Sequence, residues 1–341
     1  MRLSPLWQRR VAVFRAHRRG RFSLYVFAAV FIISMAANLI ANDKPLLMSF
    51  RGQLYLPALQ KIPEQTFNPA FLPTEADYTN PQVQAAIRAH GWMIFPPIPY
   101  RYDTIVWNAG AFAPAPPSAR NWLGTDEVSR DVLSRVIYGL RLSILFGFGL
   151  TIVASLIGII AGAVQGFYGG LTDLLFQRFI EIWSGMPQLF LLIILSSIIA
   201  PSFWILLLFL LLFSWMTLTG VVRAEFLRAR NLDYVRAAKA LGVADWRIML
   251  RHMLPNAMIA TLTFLPFILS DSVTVLASLD FLGFGMPPGS PSLGELVSEA
   301  KDNLQAPWLG FTAFFTLAGI LILLIFIGEA VRDSFDPRKT Q

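Results

Sequence analysis

The sequence predicts an all-α polytopic membrane protein of about six transmembrane helices, with a Pro-rich loop domain on one face and a folded basic segment on the other. Three observations predict it. Of 341 residues, 55% are hydrophobic and only 14% are charged, where ordinary soluble domains carry about 25% charged residues. The apolar residues gather into runs close to the ~20 that a helix needs to cross a bilayer. The basic residues sort by loop, in the manner of the positive-inside asymmetry of membrane proteins.

The same composition excludes several kinds of chemistry. Cysteine is absent, which removes thiolate metal sites and disulfides. His17, His90 and His252 are far apart in sequence and suggest no metal set. No lysine follows a glycine, so the phosphate-binding P-loop is missing. The net charge of +7 reflects loop sorting rather than a nucleic-acid surface.

Residues 1–21 form a basic arm with seven arginines (Arg2, Arg9, Arg10, Arg15, Arg18, Arg19, Arg21) and no acid. The run 22–41 reads as an uncleaved first span, too long for a typical signal-peptide core. Residues 42–138 read as a periplasmic loop domain. Its part up to Arg120 holds twelve of the 22 prolines yet keeps aromatics such as Tyr55, Phe67, Tyr78, Trp92 and Trp107. The prolines argue against long helices and the aromatics against disorder. Ser49–Leu56, with Arg51-Gly52 as its turn, reads as a hairpin. Asp126 and Asp131 lack the spacing of an EF-hand, so loop and cap chemistry is expected of them.

Residues 139–330 form the main transmembrane domain, with residues 331–341 as a cytoplasmic tail. The second span, Ser143–Gln165, carries Gly147, Gly149, Gly158 and Gly162, a pattern that lets helices approach closely in lipid. A short loop, Gly166–Arg178, leads to a third span that starts near Phe179 and is broken or bent at Met186-Pro187. The fourth span is Phe203–Val222, the fifth Ala257–Leu279 and the last Trp308–Gly328. Asp271 sits well inside the fifth span, where a carboxylate is costly and by default functional.

Between the fourth and fifth spans lies a polar island, residues 223–256, with seven basic residues against three acids. Asn231 or Asp233 caps a helix that Val235–Leu241 continues and Gly242 stops. Asp245 caps a second short helix that must end before Pro255. Ala237, Ala238 and Ala240 leave little bulk, so another protein can approach the backbone there.

These residues carry a resemblance. The pattern Tyr234-Val235, Ala237-Ala238, Ala240-Leu241-Gly242, then Arg251-His252 and Leu254-Pro255-Asn256 resembles the signature of binding-protein-dependent ABC importer permeases of the dipeptide and oligopeptide type. The stretch 121–142 is similar to that family's LGTDxxGRDVLSRxxYGxR, with Ser129 in place of a glycine. FLGFGMPPGSPSLGE and the tail GEAVRDSFDPR also match in order. Together with the long Pro-rich loop, the chain looks most like the Yej-type subunits of peptide and microcin C importers. The resemblance implies a type I ABC importer permease fold in the inner membrane, with both termini cytoplasmic and no enzymatic activity of its own. It makes residues 223–256 a coupling segment that docks on a separate ATPase. Tyr234, Ala237, Ala238, Lys239, Gly242, Arg251, Leu254 and Pro255 are the candidate contacts, and Asp271 is a candidate pathway residue. It implies no cofactor in this chain, with ATP and Mg used by the ATPase. The implied partners are a second, homologous permease subunit in a heterodimer, a periplasmic peptide-binding protein and a peptide substrate.

Two other classes fit the sequence less well. An ion-coupled secondary transporter calls for paired intramembrane charges or an inverted repeat, and only Asp271 lies deep in a span. A membrane-tethered helix–turn–helix regulator would read DNA, but it does not need six spans.

Overall fold

The computed structural model describes residues 5–106 and 112–335, with side chains from Trp7 onward. Arg2, Trp107 and the tail residues 336–341 lie outside the described residues. In chain order the elements are α1 (Pro5–Ala16), α2 (Arg18–Met35), α3 (Ala37–Ile40), β1 (Leu47–Phe50), β2 (Gln53–Tyr55), α4 (Pro81–His90) and β3 (Gly91–Ile94). There follow α5 (Val132–Tyr168), α6 (Gly170–Ser184), α7 (Gln188–Ile198), α8 (Phe203–Ala229), α9 (Asp233–Ala240) and α10 (Asp245–Ile248). A π-helical turn (Met249–Met253) leads into α11 (Leu254–Phe281), followed by α12 (Leu293–Asp302) and α13 (Pro307–Phe335).

Among the described residues four helices are long and apolar enough to cross a membrane: α5, α8, α10 to α11 taken as one, and α13. The pair α6 and α7 makes a fifth, bent by 69° at the break predicted at Met186-Pro187. The expected first span is not a single apolar helix. Arg18, Arg19 and Arg21 occupy the start of α2, and its apolar part ends at Met35, with α3 as a separate turn.

The spans also start and stop elsewhere than hydropathy places them. The second expected span belongs to a 37-residue helix. The expected loop 166–178 shrinks to a corner at Gly169, whose φ of +64° and ψ of −156° suit glycine alone. Pro255 does not end a helix. Proline lacks an N–H and its ring crowds the carbonyl four residues back; the wider π turn just before it lets the chain run straight on into α11.

The chain divides into two compact units. The first comprises residues 5–28, 144–287 and 318–335. Its packing rests on the glycine stripe of α5. A Cβ at Gly158 would stand 2.6 Å from the Trp215 carbonyl oxygen, at Gly162 2.6 Å from that of Thr219, and at Gly166 2.7 Å from that of Arg223. The stripe steps four residues at a time on both helices and in the same direction, so α5 and α8 run parallel in backbone contact. This is the close approach expected from the small residues.

The second unit comprises residues 29–106, 112–143 and 288–317. Its loop region holds a three-stranded antiparallel sheet in the order β2-β1-β3. The hairpin lies where expected, with Arg51 (φ 49°) and Gly52 (φ 79°) both left-handed, as a primed turn requires. β3 and α4 were not anticipated. Asn80 accepts a hydrogen bond from the Gln82 N–H at 2.9 Å and Pro81 opens the helix, a standard start for α4. Met48, Phe50, Ile62, Phe67, Tyr78, Val83 and Ile87 form a small core beneath the sheet.

The same unit contains a buried ion cluster. Arg135, with no exposed side-chain surface, places Nη1 2.6 Å from Asp126 Oδ2 and 2.6 Å from Glu299 Oε2, while Nη2 lies 3.2 Å from Glu295 Oε2. Arg130 Nε donates to Asp126 Oδ2 at 2.6 Å, and its Nη2 donates to Glu299 Oε1 at 3.0 Å. Two guanidiniums thus face three carboxylates. Burial pushes Glu299 up to about 7, against the lowering effect of Arg135. Ser129 holds the left-handed φ (63°) that a glycine would take freely. Asp126 Oδ1 secures that turn by accepting from the N–H groups of Val128 and Arg130. Asp131 caps α5 through the Ser134 N–H at 2.8 Å, so both aspartates do the loop and cap work expected of them.

Candidate functional site: the segment between α8 and α11

α8 does not stop where its apolar run ends at Val222. It continues to Ala229, carrying Arg223 and Arg228 on its last turns. Arg223 clamps Asp173 of α6 in two parallel hydrogen bonds, Nη2 to Oδ2 at 2.6 Å among them. A Cβ at Gly169 would meet the Arg230 guanidinium at 2.0 Å. The end of α8 is therefore fixed to the α5–α6 corner before the chain turns into α9.

α9 begins at Asp233 with Leu232 at its N-cap and no side-chain cap, so neither Asn231 nor Asp233 serves as expected. Its end follows the sequence closely. Gly242 takes φ +75°; its N–H donates to the Lys239 carbonyl at 3.0 Å, and that of Val243 to the Ala238 carbonyl at 3.1 Å. This paired closure is the Schellman motif, which glycine at that position makes cheap. Ala244, not Asp245, is the N-cap of α10, and its side chain accepts no hydrogen bond.

Val235 and Ala238 of α9, Ile248 of α10 and Met253 of the π turn are buried. They join one core with Ala163 and Phe167 of α5, Leu218, Val222 and Phe226 of α8, and Ala257 of α11. Burying a valine, isoleucine or methionine side chain contributes roughly 1.5–3 kcal/mol, so the helix–turn–helix is seated rather than loosely tethered. Two polar contacts tie its edges. Lys239 Nζ lies 4.4 Å from the Phe167 ring centroid, and Asn256 Nδ2 donates to Tyr234 Oη at 3.4 Å.

The predicted site residues divide accordingly. Tyr234, Ala237, Lys239, Gly242, Arg251 and Pro255 are exposed, Leu254 is half-buried, and Ala238 points into the core. Ala238 thus serves the anchor, and a neighbouring protein cannot reach it directly. Sequence reasoning missed Leu241, which is 83% exposed. In the fold Trp246 (60% exposed) and Leu250 (57%) face outward while Ile248 and Met253 face in. The i, i+4 spacing of Trp246 and Leu250 was the available signal. The outer face of the segment therefore pairs large apolar side chains with Arg236, Arg247 and Arg251, all exposed. Large uncovered apolar groups rimmed by charge mark protein-docking surfaces.

Asp271 stands on an exposed face of α11 with Phe264, Thr274, Val275 and Ser278. Among the described residues it has no hydrogen bond or ion pair.

Residues 154–341 match the model of the family described as binding-protein-dependent transport system inner membrane component. The chain is 57% identical to the inner membrane ABC transporter permease protein YejE of Escherichia coli, covering 99% of each chain. It is 55% identical to the peptidoglycan transport system permease protein YejE of Agrobacterium fabrum, covering 99% of this chain and 94% of that one. The dipeptide transport system permease protein DppC of Haemophilus influenzae is 34% identical over 64% of this chain and 75% of its own length.

Proposed function

The chain belongs to the family of binding-protein-dependent transport system inner membrane components, and on that premise we propose that it is the permease subunit through which an ATP-driven importer moves peptides into the cytoplasm. The names of its relatives, which include peptidoglycan and dipeptide permeases, support a peptide-bearing cargo. One observation carries the mechanistic reading. A compact helix–turn–helix, anchored by its buried face to α5, α8 and α11, holds an exposed face of Leu241, Trp246, Leu250 and arginines that nothing among the described residues covers.

That face is the coupling surface for a separate ATPase subunit, which binds ATP and Mg. Tyr234, Ala237, Lys239, Gly242, Arg251 and Pro255 lie on or beside it, with Leu254 at its margin. Because α8 enters the segment without a break and α11 leaves it without a break, movement of the ATPase is carried directly into two spans. ATP then biases inward-open and outward-open states that already exist. A second, homologous permease subunit completes the pathway, and a periplasmic binding protein delivers the peptide. The side chain of Asp271, unpartnered among the described residues, faces that pathway or the partner permease, since a bare carboxylate against lipid is costly.

This reading places both termini and the coupling segment in the cytoplasm and the loop domain 42–138 in the periplasm. Arg130 and Arg135 are compatible with it, because a guanidinium held among buried carboxylates carries no free charge to the membrane surface.

Crosslinking tests the docking. Cysteines placed singly at Ala237 and Leu241 in this cysteine-free chain should capture a P-loop ATPase in membranes, and one at buried Ala238 should not. Well-inserted protein that yields no ATPase adduct from either exposed position would remove the coupling role.

A further inference from the structure

The basic arm has no part in the coupling reading, yet its helix is built into a cavity. In the first unit a space of about 590 Å³ is lined by Arg10 of α1, Arg228 of α8, Asn256 and Ile259 of α11, and Arg332 and Phe335 of α13. Three of these four helices are spans, and the cavity sits where they end. α8 has just passed from its apolar run into Arg223–Arg228, α11 has just begun, and α13 is at its last turn. The ends of apolar spans fall at the level of the lipid headgroups.

Among the described residues the charges in the cavity do not balance. Glu225, the one acid among the described lining residues, is taken up by Arg228 at 3.0 Å. Among the described residues, neither Arg10 nor Arg332 has a carboxylate within ion-pair distance. Arg10 is held in place by aromatic rings, its guanidinium 5.3 Å from the Trp7 centroid and 4.7 Å from that of Phe335. Trp7 meets Phe335 edge to face at 5.9 Å, and Trp is a residue favoured at the membrane–water interface. Beside these charges the lining is formed by Ile259, Ala260 and Thr263 of α11 and the Phe335 ring. A cationic rim, with the Arg10 guanidinium held between rings, beside apolar side chains matches a phosphate group attached to an acyl chain.

We propose that this cavity binds the headgroup of an anionic phospholipid and so fastens the basic arm to the ends of α8, α11 and α13. Asn256, which lines the cavity, also holds Tyr234 of α9, so the bound lipid touches the segment between α8 and α11 without depending on what that segment docks.

Native mass spectrometry of the full chain released from nanodiscs provides the test, comparing phosphatidylglycerol or cardiolipin with phosphatidylcholine. The wild-type protein should retain the anionic lipids preferentially. Arg332→Gln, at an exposed position, and Arg10→Gln should each lower that preference roughly fivefold. Arg178→Gln, whose arginine does not line the cavity, should leave it unchanged. Equal retention of both lipid classes, or an equal loss from all three variants, would overturn the site. Millimolar inorganic phosphate separates the two sources of the anion. Retention that persists in its presence supports a lipid, and full displacement would make this a soluble-phosphate site and refute the proposal.

Discussion

Gly242 lends itself to a perturbation whose parts separate. Its φ is +75°, and a Cβ built there meets nothing within 4 Å. Any L-residue therefore pays the left-handed backbone penalty, about 1–2 kcal/mol, while its side chain enters open space. Asparagine tolerates that conformation better than most residues, so Gly242→Asn should be nearly neutral. Gly242→Ala should cost about 1 kcal/mol, small against the 5–15 kcal/mol that typically holds a fold. Gly242→Trp pays a similar backbone cost and adds a large group beside Leu241 on the proposed docking face. All three variants should reach the membrane in near-normal amounts. Uptake and substrate-stimulated ATP hydrolysis in proteoliposomes should survive in the asparagine and alanine variants and fall by an order of magnitude or more with tryptophan. Full uptake with tryptophan would refute the docking role. Equal loss in all three would show that the turn's geometry, rather than access to its surface, is what matters.

Further outcomes follow from the buried charges. Arg135→Met leaves Asp126 and Glu299 buried without their main counter-charge and should destabilise the unit by roughly 3–5 kcal/mol, read as a lowered thermal midpoint. Glu299, raised in the fold to about 7 from an ordinary 4.5, contributes stability that is full below its unfolded pKa and lost as pH rises through 7. The thermal midpoint should therefore fall between pH 5 and pH 8, and Glu299→Gln should flatten that slope. Asp271→Asn should change uptake of charged relative to neutral peptides, measured as competition between them; an identical profile would assign the residue to packing alone.

Much of this protein was legible in its sequence because lipid simplifies the problem. Backbone groups in a bilayer must bond within their own segment, so the apolar runs had to be helices. Pro187, the α5 glycines, the Arg51-Gly52 hairpin and the stop at Gly242 each act through a local rule, and each did so in the fold. The family was likewise written in the ordered motifs between residues 121 and 338. What hydropathy could not place were the ends of the helices, since a helix does not stop when it leaves the apolar layer: α8 continues to Ala229 and α5 begins at Val132.

Only the tertiary structure decided which faces look inward. Ala237 and Ala238 are neighbours of one type in one motif, yet one is exposed and the other packs into the core. That difference depends on where α5 and α8 pass, not on the residue. Pro255 reads as a terminator and becomes part of a continuous helix because a π turn absorbs its steric demand. Arg130 and Arg135 lie close in sequence to Asp126, but their other carboxylates, Glu295 and Glu299, come from more than 150 positions along the chain. Long-range electrostatic pairing has no signature in local sequence, because the energy that selects it exists only once the partners have been brought together.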